Sequence, residues 1–145
     1  MMKKGFIATL LLGSLVLWPS CDREDDINVW NTQLPQLIME KYPNASIIEG
    51  ERVVGGYEVS AFVDGVEAEI YFNSKYQWLR TEFDTYWNAL PEEVRSGVEA
   101  AGYQQYIFEE IERVETATST TYRFQIDREP KDLVLVFDSL GQRIQ

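Results

Sequence analysis

Two turn dipeptides inside an alternating stretch of chain constrain the fold most. Gly55-Gly56 and Asp64-Gly65 separate three segments in which apolar and polar side chains tend to alternate. Both dipeptides are typical of two-residue hairpin turns, which need positive φ, a conformation that glycine adopts at low steric cost. We therefore predict three consecutive antiparallel strands and a short fourth strand through Tyr76, Trp78 and Arg80. The three strands are expected at residues 47–54, 57–63 and 66–72.

The spacing of apolar residues predicts a short helix before these strands and another one after them. Leu34 and Ile38 lie on one face of the first helix, with Thr32 as its cap and Pro35 in the first turn. Asn88 is the predicted cap of the second helix, and Gly102 is its predicted end. Further strands are expected at residues 106–115, 121–127, 133–137 and 142–144.

The second half of the chain follows the order of the first. A shift of 65 positions overlays Tyr57 on Tyr122, Phe72 on Phe137 and Ser74 on Ser139. We therefore predict two repeats, at about residues 30–83 and 84–145, although two hairpins of similar length could coincide by chance.

Strand alternation assigns the two faces of the sheet. Val59, Ala61 and Ile70 are predicted on the face that meets both helices, whereas Glu58 and Tyr71 are predicted on the opposite, partly wet face. The predicted fold class is therefore α+β, with the helices packed on one face of an antiparallel sheet.

The N-terminus has the layout of an export signal. Lys3 and Lys4 precede an apolar run that ends near Trp18, and small Ser20 stands before Cys21. We predict a signal peptide over residues 1–20, a lipid on Cys21 and an acidic tether over residues 21–29. The expected location is the cell envelope, on the periplasmic side of the outer membrane or at the cell surface. The alternative is an ordinary secretory signal with an incidental cysteine.

Composition excludes several function classes. The 145 residues include no histidine and a single cysteine, so Ser-His and Cys-His catalysis and histidine-bearing zinc sites are ruled out. A formal charge of -11 repels nucleic acid. The remaining carboxylate pairs, Glu92-Glu93, Glu109-Glu110 and Glu67/Glu69, are interpreted as solvated surface charge. We predict a protein that is not an enzyme and has no metal or other cofactor.

A group of aromatic residues between the first strands and the second helix suggests a surface. We predict that Tyr71, Tyr76 and Trp78, beside Glu67 and Glu69, bind a protein, peptide or glycan partner. The alternative is that these aromatic side chains belong to the core.

Several short motifs resemble a known family. Leu34-Pro35 and Leu90-Pro91 open the two helices, and Phe137-Asp138-Ser139-Leu140-Gly141 ends the last long strand. The chain is similar to the PepSY-like periplasmic proteins of Bacteroides-type bacteria, which resemble beta-lactamase-inhibitor proteins in fold. This resemblance implies a tandem helix-and-sheet fold and a binding role, with inhibition of a protease or other hydrolase as the alternative. It supplies no catalytic residues. A carboxylate-dependent hydrolase is a further alternative, and Asp138-Ser139-Leu140 resembles an O-glycosylation acceptor with Ser139 as the modified residue.

Overall fold

The computed structural model describes residues 26–145, which form an α+β fold as predicted. The sheet has eight antiparallel strands, and each strand pairs with the next one along the chain. The strands are β1 Asp26–Ile27, β2 Ala45–Val53, β3 Gly56–Val63, β4 Val66–Asn73, β5 Trp78–Asp84, β6 Glu110–Thr116, β7 Thr120–Ile126 and β8 Leu133–Asp138. The helices are α1 Leu34–Lys41, which precedes β2, and α2 Glu92–Ala100, which precedes β6.

The predicted hairpin turns join β2, β3 and β4. Gly55 has φ +87°, and Asp64 and Gly65 have φ +51° and +80°. Positive φ at these positions is the conformation that the dipeptides predicted. The structure therefore confirms the three strands to within two residues at each end.

Both predicted helix caps are displaced: the N-cap position of α1 is Gln33, one residue after Thr32, and that of α2 is Pro91, three residues after Asn88. The Thr32 hydroxyl accepts a hydrogen bond from the Leu34 N–H at 3.2 Å, which satisfies a donor at the start of α1. Asn88 does not cap α2, because it lies in a separate 3-10 turn, Trp87–Ala89, and the helix begins after Pro91. Gly102, with φ +92°, follows the end of α2 as predicted.

Three strands differ from the prediction. β6 begins at Glu110 instead of Tyr106, because a 3-10 turn occupies Gln105–Ile107. The predicted strand over residues 142–144 is reduced to one bridge between Phe137 and Arg143. β5 is longer than expected and continues to Asp84, because it pairs with both β4 and β6.

Both helices cover the same face of the sheet, as expected. Leu34 and Ile38 of α1 pack with β3 and β4, whereas Val94 and Val98 of α2 pack with β7 and β8. The residues that contact α1 and those that contact α2 lie on one side of the sheet. A row of directly opposite residues on adjacent strands connects them: Ala68, Phe83, Arg113, Tyr122 and Phe137. Opposite residues project to the same side of a sheet, so both helices of residues 26–145 lie on one side and neither lies on the other.

A close backbone contact fixes α2 on the turn that follows β8. A Cβ atom on Gly97 would lie 1.9 Å from the carbonyl oxygen of Gly141, so only glycine fits at this point of the helix. The Asp138 carboxylate closes the turn by accepting the N–H groups of Leu140 and Gln142. The motif quoted above therefore has a packing role.

Candidate functional site

One side of the sheet carries neither of the two helices of residues 26–145, and we call it the open face. At least ten residues on this side of the strands are carboxylic acids, against two arginines. The acids are Glu49, Glu51, Glu58, Glu67, Glu69, Glu82, Asp84, Glu110, Glu112 and Asp138, and the arginines are Arg80 and Arg123. The surface is therefore negative overall.

An ion-pair cluster lies at the centre of the open face. Glu82 and Glu112 are only 6% and 7% exposed. Arg123 binds both of them: its Nη2 lies 3.1 Å from the Glu82 carboxylate, and it also contacts Glu112 across the β6–β7 pair. Arg80 Nε donates to the other Glu82 oxygen at 2.7 Å. The guanidinium groups compensate carboxylates that could not remain charged alone in a buried position.

Burial affects ionisation in this cluster. Burial raises the pKa of Glu112, and the positive charge of Arg123 acts in the opposite direction. Every buried side-chain polar atom in the described part of the chain has a hydrogen-bond partner. The cluster is thus a fully connected polar network, which is expected to hold this part of the face rigid.

Tyr71 lies beside this network. The Arg80 guanidinium stacks over its ring, with the guanidinium carbon 3.7 Å from the ring centroid. Burial, with the negative charges of Glu82 and Glu58, raises the pKa of Tyr71. A hydrogen bond with the Glu58 carboxylate also contributes to this raised pKa, so the phenol donor is directed at Glu58.

Glu69 has the most unusual environment of the predicted site residues. Its two carboxylate oxygens accept the Ser60 hydroxyl at 3.0 and 2.9 Å, next to a cavity of about 240 Å³ that Glu49, Glu51 and Glu58 also line. Burial raises the pKa of Glu69 to about 7; nearby Glu58 adds to this rise, and the Ser60 hydroxyl opposes it. This carboxyl therefore changes charge near neutral pH.

The structure separates the five residues that the sequence grouped as one surface. Glu67, Glu69 and Tyr71 alternate along β4 on the open face, as predicted. Tyr76 and Trp78 lie on the helix-covered side, so their placement beside Tyr71 is wrong. The reason is a β-bulge, through which Tyr71 pairs with Arg80 but Phe72 pairs with Trp78.

Contacts on the helix-covered side explain both aromatic residues. Tyr76, with φ +61°, stacks on Tyr57 at 4.8 Å between ring centroids. Trp78 Nε1 donates to the Thr81 hydroxyl at 2.9 Å, and the Lys41 ammonium lies 3.6 Å from the indole centroid. Tyr76 and Trp78 therefore pack against the core, which was the alternative prediction for these aromatic side chains.

Ser139 is exposed in the turn after β8, and its glycosylation stays a prediction. Cys21 lies outside the described residues. The carboxylates of Asp84, Glu110 and Glu112 come within 4.8 Å of one another and are the residues that could hold a cation, but Glu112 already has Arg123 as its partner.

Sequence reasoning missed the pairing of Glu82 and Glu112 through Arg123. Glu82 lies beyond the predicted end of the fourth strand, and the three residues come from different strands. Only the alternation of Arg80, Glu82 and Asp84 on one side of a longer strand could have indicated it.

No helix in the described part of the chain is long and apolar enough to span a bilayer. No curated protein matches the sequence. A family model described as "Putative beta-lactamase-inhibitor-like, PepSY-like" matches residues 55–145.

Solved structures with the same fold come from Bacteroides species. A BLIP-like protein from Bacteroides fragilis has 24% identity and a TM-score of 0.70, over 77% of this chain and 81% of its own. A DUF2874 family protein from Bacteroides ovatus has 16% identity and a TM-score of 0.69, over 79% and 84%. A structure described as putative periplasmic proteins from Bacteroides eggerthii has 14% identity and a TM-score of 0.68, over 78% and 84%. At these identities the structures show the fold, and the family model shows that the chain belongs to the PepSY-like, beta-lactamase-inhibitor-like family.

Proposed function

We propose that this chain is a non-catalytic, exported binding protein whose open face binds a basic protein or peptide. One observation carries the proposal: within residues 26–145 one face of the sheet is free of helices, and at least ten carboxylates line it against two arginines. An acidic surface attracts a basic partner and repels an acidic one.

The environment of the buried carboxylates supports a binding role over catalysis. General acid–base chemistry needs a carboxyl group that is free to exchange protons with a substrate. Glu82 and Glu112 are both bound to Arg123, so neither is free in this way. Glu82 and Glu112 therefore do not support a carboxylate-dependent hydrolase, and Glu69, whose pKa burial raises to about 7, is the carboxyl that would have to serve in one.

Capture from an envelope extract tests the proposal. The wild-type domain should retain a partner at low salt and release it at high salt, because exposed charges are screened. Tyr71→Ala should lose the partner, whereas Glu92→Gln, an exposed charge on α2 on the other side of the sheet, should retain it. Equal capture by Tyr71→Ala and wild type, with a lowered melting temperature for the variant, would show that Tyr71 has only a structural role.

Inhibition of a protease or other hydrolase is the second candidate function. The structural similarity to the BLIP-like protein favours it. Stoichiometric amounts of the domain should then slow a panel of proteases or beta-lactamases, and Tyr71→Ala should relieve the inhibition. If the hydrolysis rates of all enzymes in the panel were unchanged, the protein would be a binding protein without inhibitor activity against them.

We also propose that Cys21 carries the lipid that anchors the protein in the cell envelope. The position of this cysteine after the apolar run supports the assignment. A fatty-acid analogue should label the wild type but not Cys21→Ser, and equal labelling of both proteins would contradict it.

We further propose that the chain arose from a repeated helix-and-strand unit. The bounds of β2, β3 and β4, shifted by 65 positions, fall within two residues of those of β6, β7 and β8. Superposition of residues 45–73 on 110–138 tests this. A fit no better than that of other strand triplets in the sheet would contradict it.

A further inference from the structure

We infer that a second surface, at the end of the sheet, binds a cationic peptide segment that carries an aromatic side chain. The surface is a cleft of about 390 Å³ between the 3-10 turns Trp87–Ala89 and Gln105–Ile107. Four aromatic side chains line it, and we call it the aromatic cleft. They are Tyr86, Trp87, Tyr106 and Phe108.

The cleft has a fixed floor and exposed walls. Trp87 stacks on Phe108 with an interplanar angle of 17°, and Phe108 lies 4.9 Å from the ring of buried Phe124. Tyr86 and Tyr106, in contrast, are 68% and 79% exposed. Large aromatic side chains are usually highly buried, and they are enriched at interfaces, where an apolar ring and a polar hydroxyl are both used.

A cavity of about 710 Å³ adjoins the cleft, and the two share Thr85, Glu109 and Ile111 as lining residues. Five exposed carboxylic acids line this cavity: Asp84, Glu109, Glu110, Asp127 and Asp132. Within residues 26–145 none of the five takes part in an ion pair. Arg123 on the open face does not neutralise these five carboxylates, because its guanidinium is bound to Glu82 and Glu112.

Charge complementarity selects the occupant. A cationic segment gains Coulomb energy from unpaired carboxylates, and its aromatic side chain can pack between Tyr86 and Tyr106. A second copy of this chain would bring the same acidic charge, with a formal net charge of -11, and a neutral glycan would gain no such attraction. The chemistry that fits both parts of the surface is therefore a Lys- or Arg-rich peptide with an adjacent aromatic residue.

This inference stands apart from the proposed binding at Glu69 and Tyr71. Asp84 and Glu110 lie at the end of the open face, but the four aromatic side chains belong to the connections between β5, α2 and β6. Loss of binding at one surface therefore need not change binding at the other.

Peptide titration followed by NMR tests the inference. The probe is a blocked Lys-Lys-Trp-Lys peptide, and the controls are Glu-Glu-Trp-Glu and Lys-Lys-Ala-Lys. We expect the probe to bind more tightly than both controls and to shift the amide signals of residues 85–87 and 105–110. Higher salt should weaken its binding.

Variants assign the contacts. Tyr106→Ala should weaken binding of the probe by about tenfold, as for an interface anchor. The pair Asp84→Asn and Glu110→Gln should weaken it several-fold, whereas Glu40→Gln, an exposed charge on α1, should leave it unchanged. Glu69→Gln should also leave it unchanged, which separates this test from that of the open face.

Three results would overturn the inference. One is equal binding of the probe by wild type and Tyr106→Ala, with the variant folded as judged by its melting temperature. Another is a chito-oligosaccharide that shifts the cleft signals while the probe does not. The third is a concentration-dependent dimer in sedimentation that involves Tyr86 and Tyr106 and excludes the probe.

Discussion

The unusual ionisation of Glu69 makes stability depend on pH in a way that one substitution should remove. In the folded protein burial raises the pKa of Glu69 to about 7 from an ordinary value of 4.5. The folded state therefore binds more protons than the unfolded state between these pH values. Stability contributed at this site is consequently lost as pH rises from about 4.5 through about 7. Glu69→Gln keeps an acceptor for the Ser60 hydroxyl and has no charge to desolvate.

The pKa difference sets an upper limit on the effect. A rise of 7 − 4.5 = 2.5 pKa units corresponds to about 3.4 kcal/mol at full strength. Glu69 is only half buried, so solvent screening reduces this value, and we expect about 1–2 kcal/mol. Glu69→Gln should therefore be more stable than wild type by that amount at pH 8 and equal to it at pH 4.

Urea unfolding at a series of pH values measures this difference. Glu67→Gln is the matched control, because it removes the same charge from an exposed position on the same face of the same strand. The reasoning would be refuted if the two variants gave the same profile, or if the gain from Glu69→Gln did not change between pH 4 and pH 8.

Three further substitutions test the structure. Arg123→Met should lower the free energy of unfolding at pH 7 by about 3 kcal/mol, because two buried glutamates lose their shared cation. Acidification should lessen this loss. A loss of stability no larger than that of the control Arg80→Met would contradict the prediction. Gly97→Ala should lower the free energy of unfolding by about 2 kcal/mol, measured by thermal unfolding, since overpacking against the turn after β8 outweighs a gain of about 1 kcal/mol in helix propensity. The control Ser96→Ala changes an exposed residue one position earlier and should not destabilise the protein. Trp78→Ala should lower the free energy of unfolding by about 2 kcal/mol without weakening partner capture, because this half-buried side chain packs on the core. If a stable Trp78→Ala variant lost capture, Trp78 would belong to the binding surface.

Local signals predicted most of the strands, because their causes lie within a few residues. Positive φ at Gly55 and Gly65 depends on the missing Cβ atom, and the side of Val59 or Ile70 follows from alternation within one strand. The errors arose where a local pattern had two solutions. Tyr106 and Phe108 alternate as in a strand, but Tyr106 lies within a 3-10 turn and Phe108 follows it. Asn88 resembles a helix cap, but it lies in another 3-10 turn, and α2 begins only after Pro91.

The sequence by itself determined the acidic charge, the absence of histidine chemistry, the antiparallel strands and the face on which Glu67, Glu69 and Tyr71 lie. Tertiary structure alone decided which of these residues act together. A β-bulge moved Trp78 to the other side of the sheet, and register across three strands brought Glu82 and Glu112 to Arg123. The physical reason is that alternation fixes side-chain direction within a strand, whereas desolvation and ion pairing depend on which strands become neighbours and in what register.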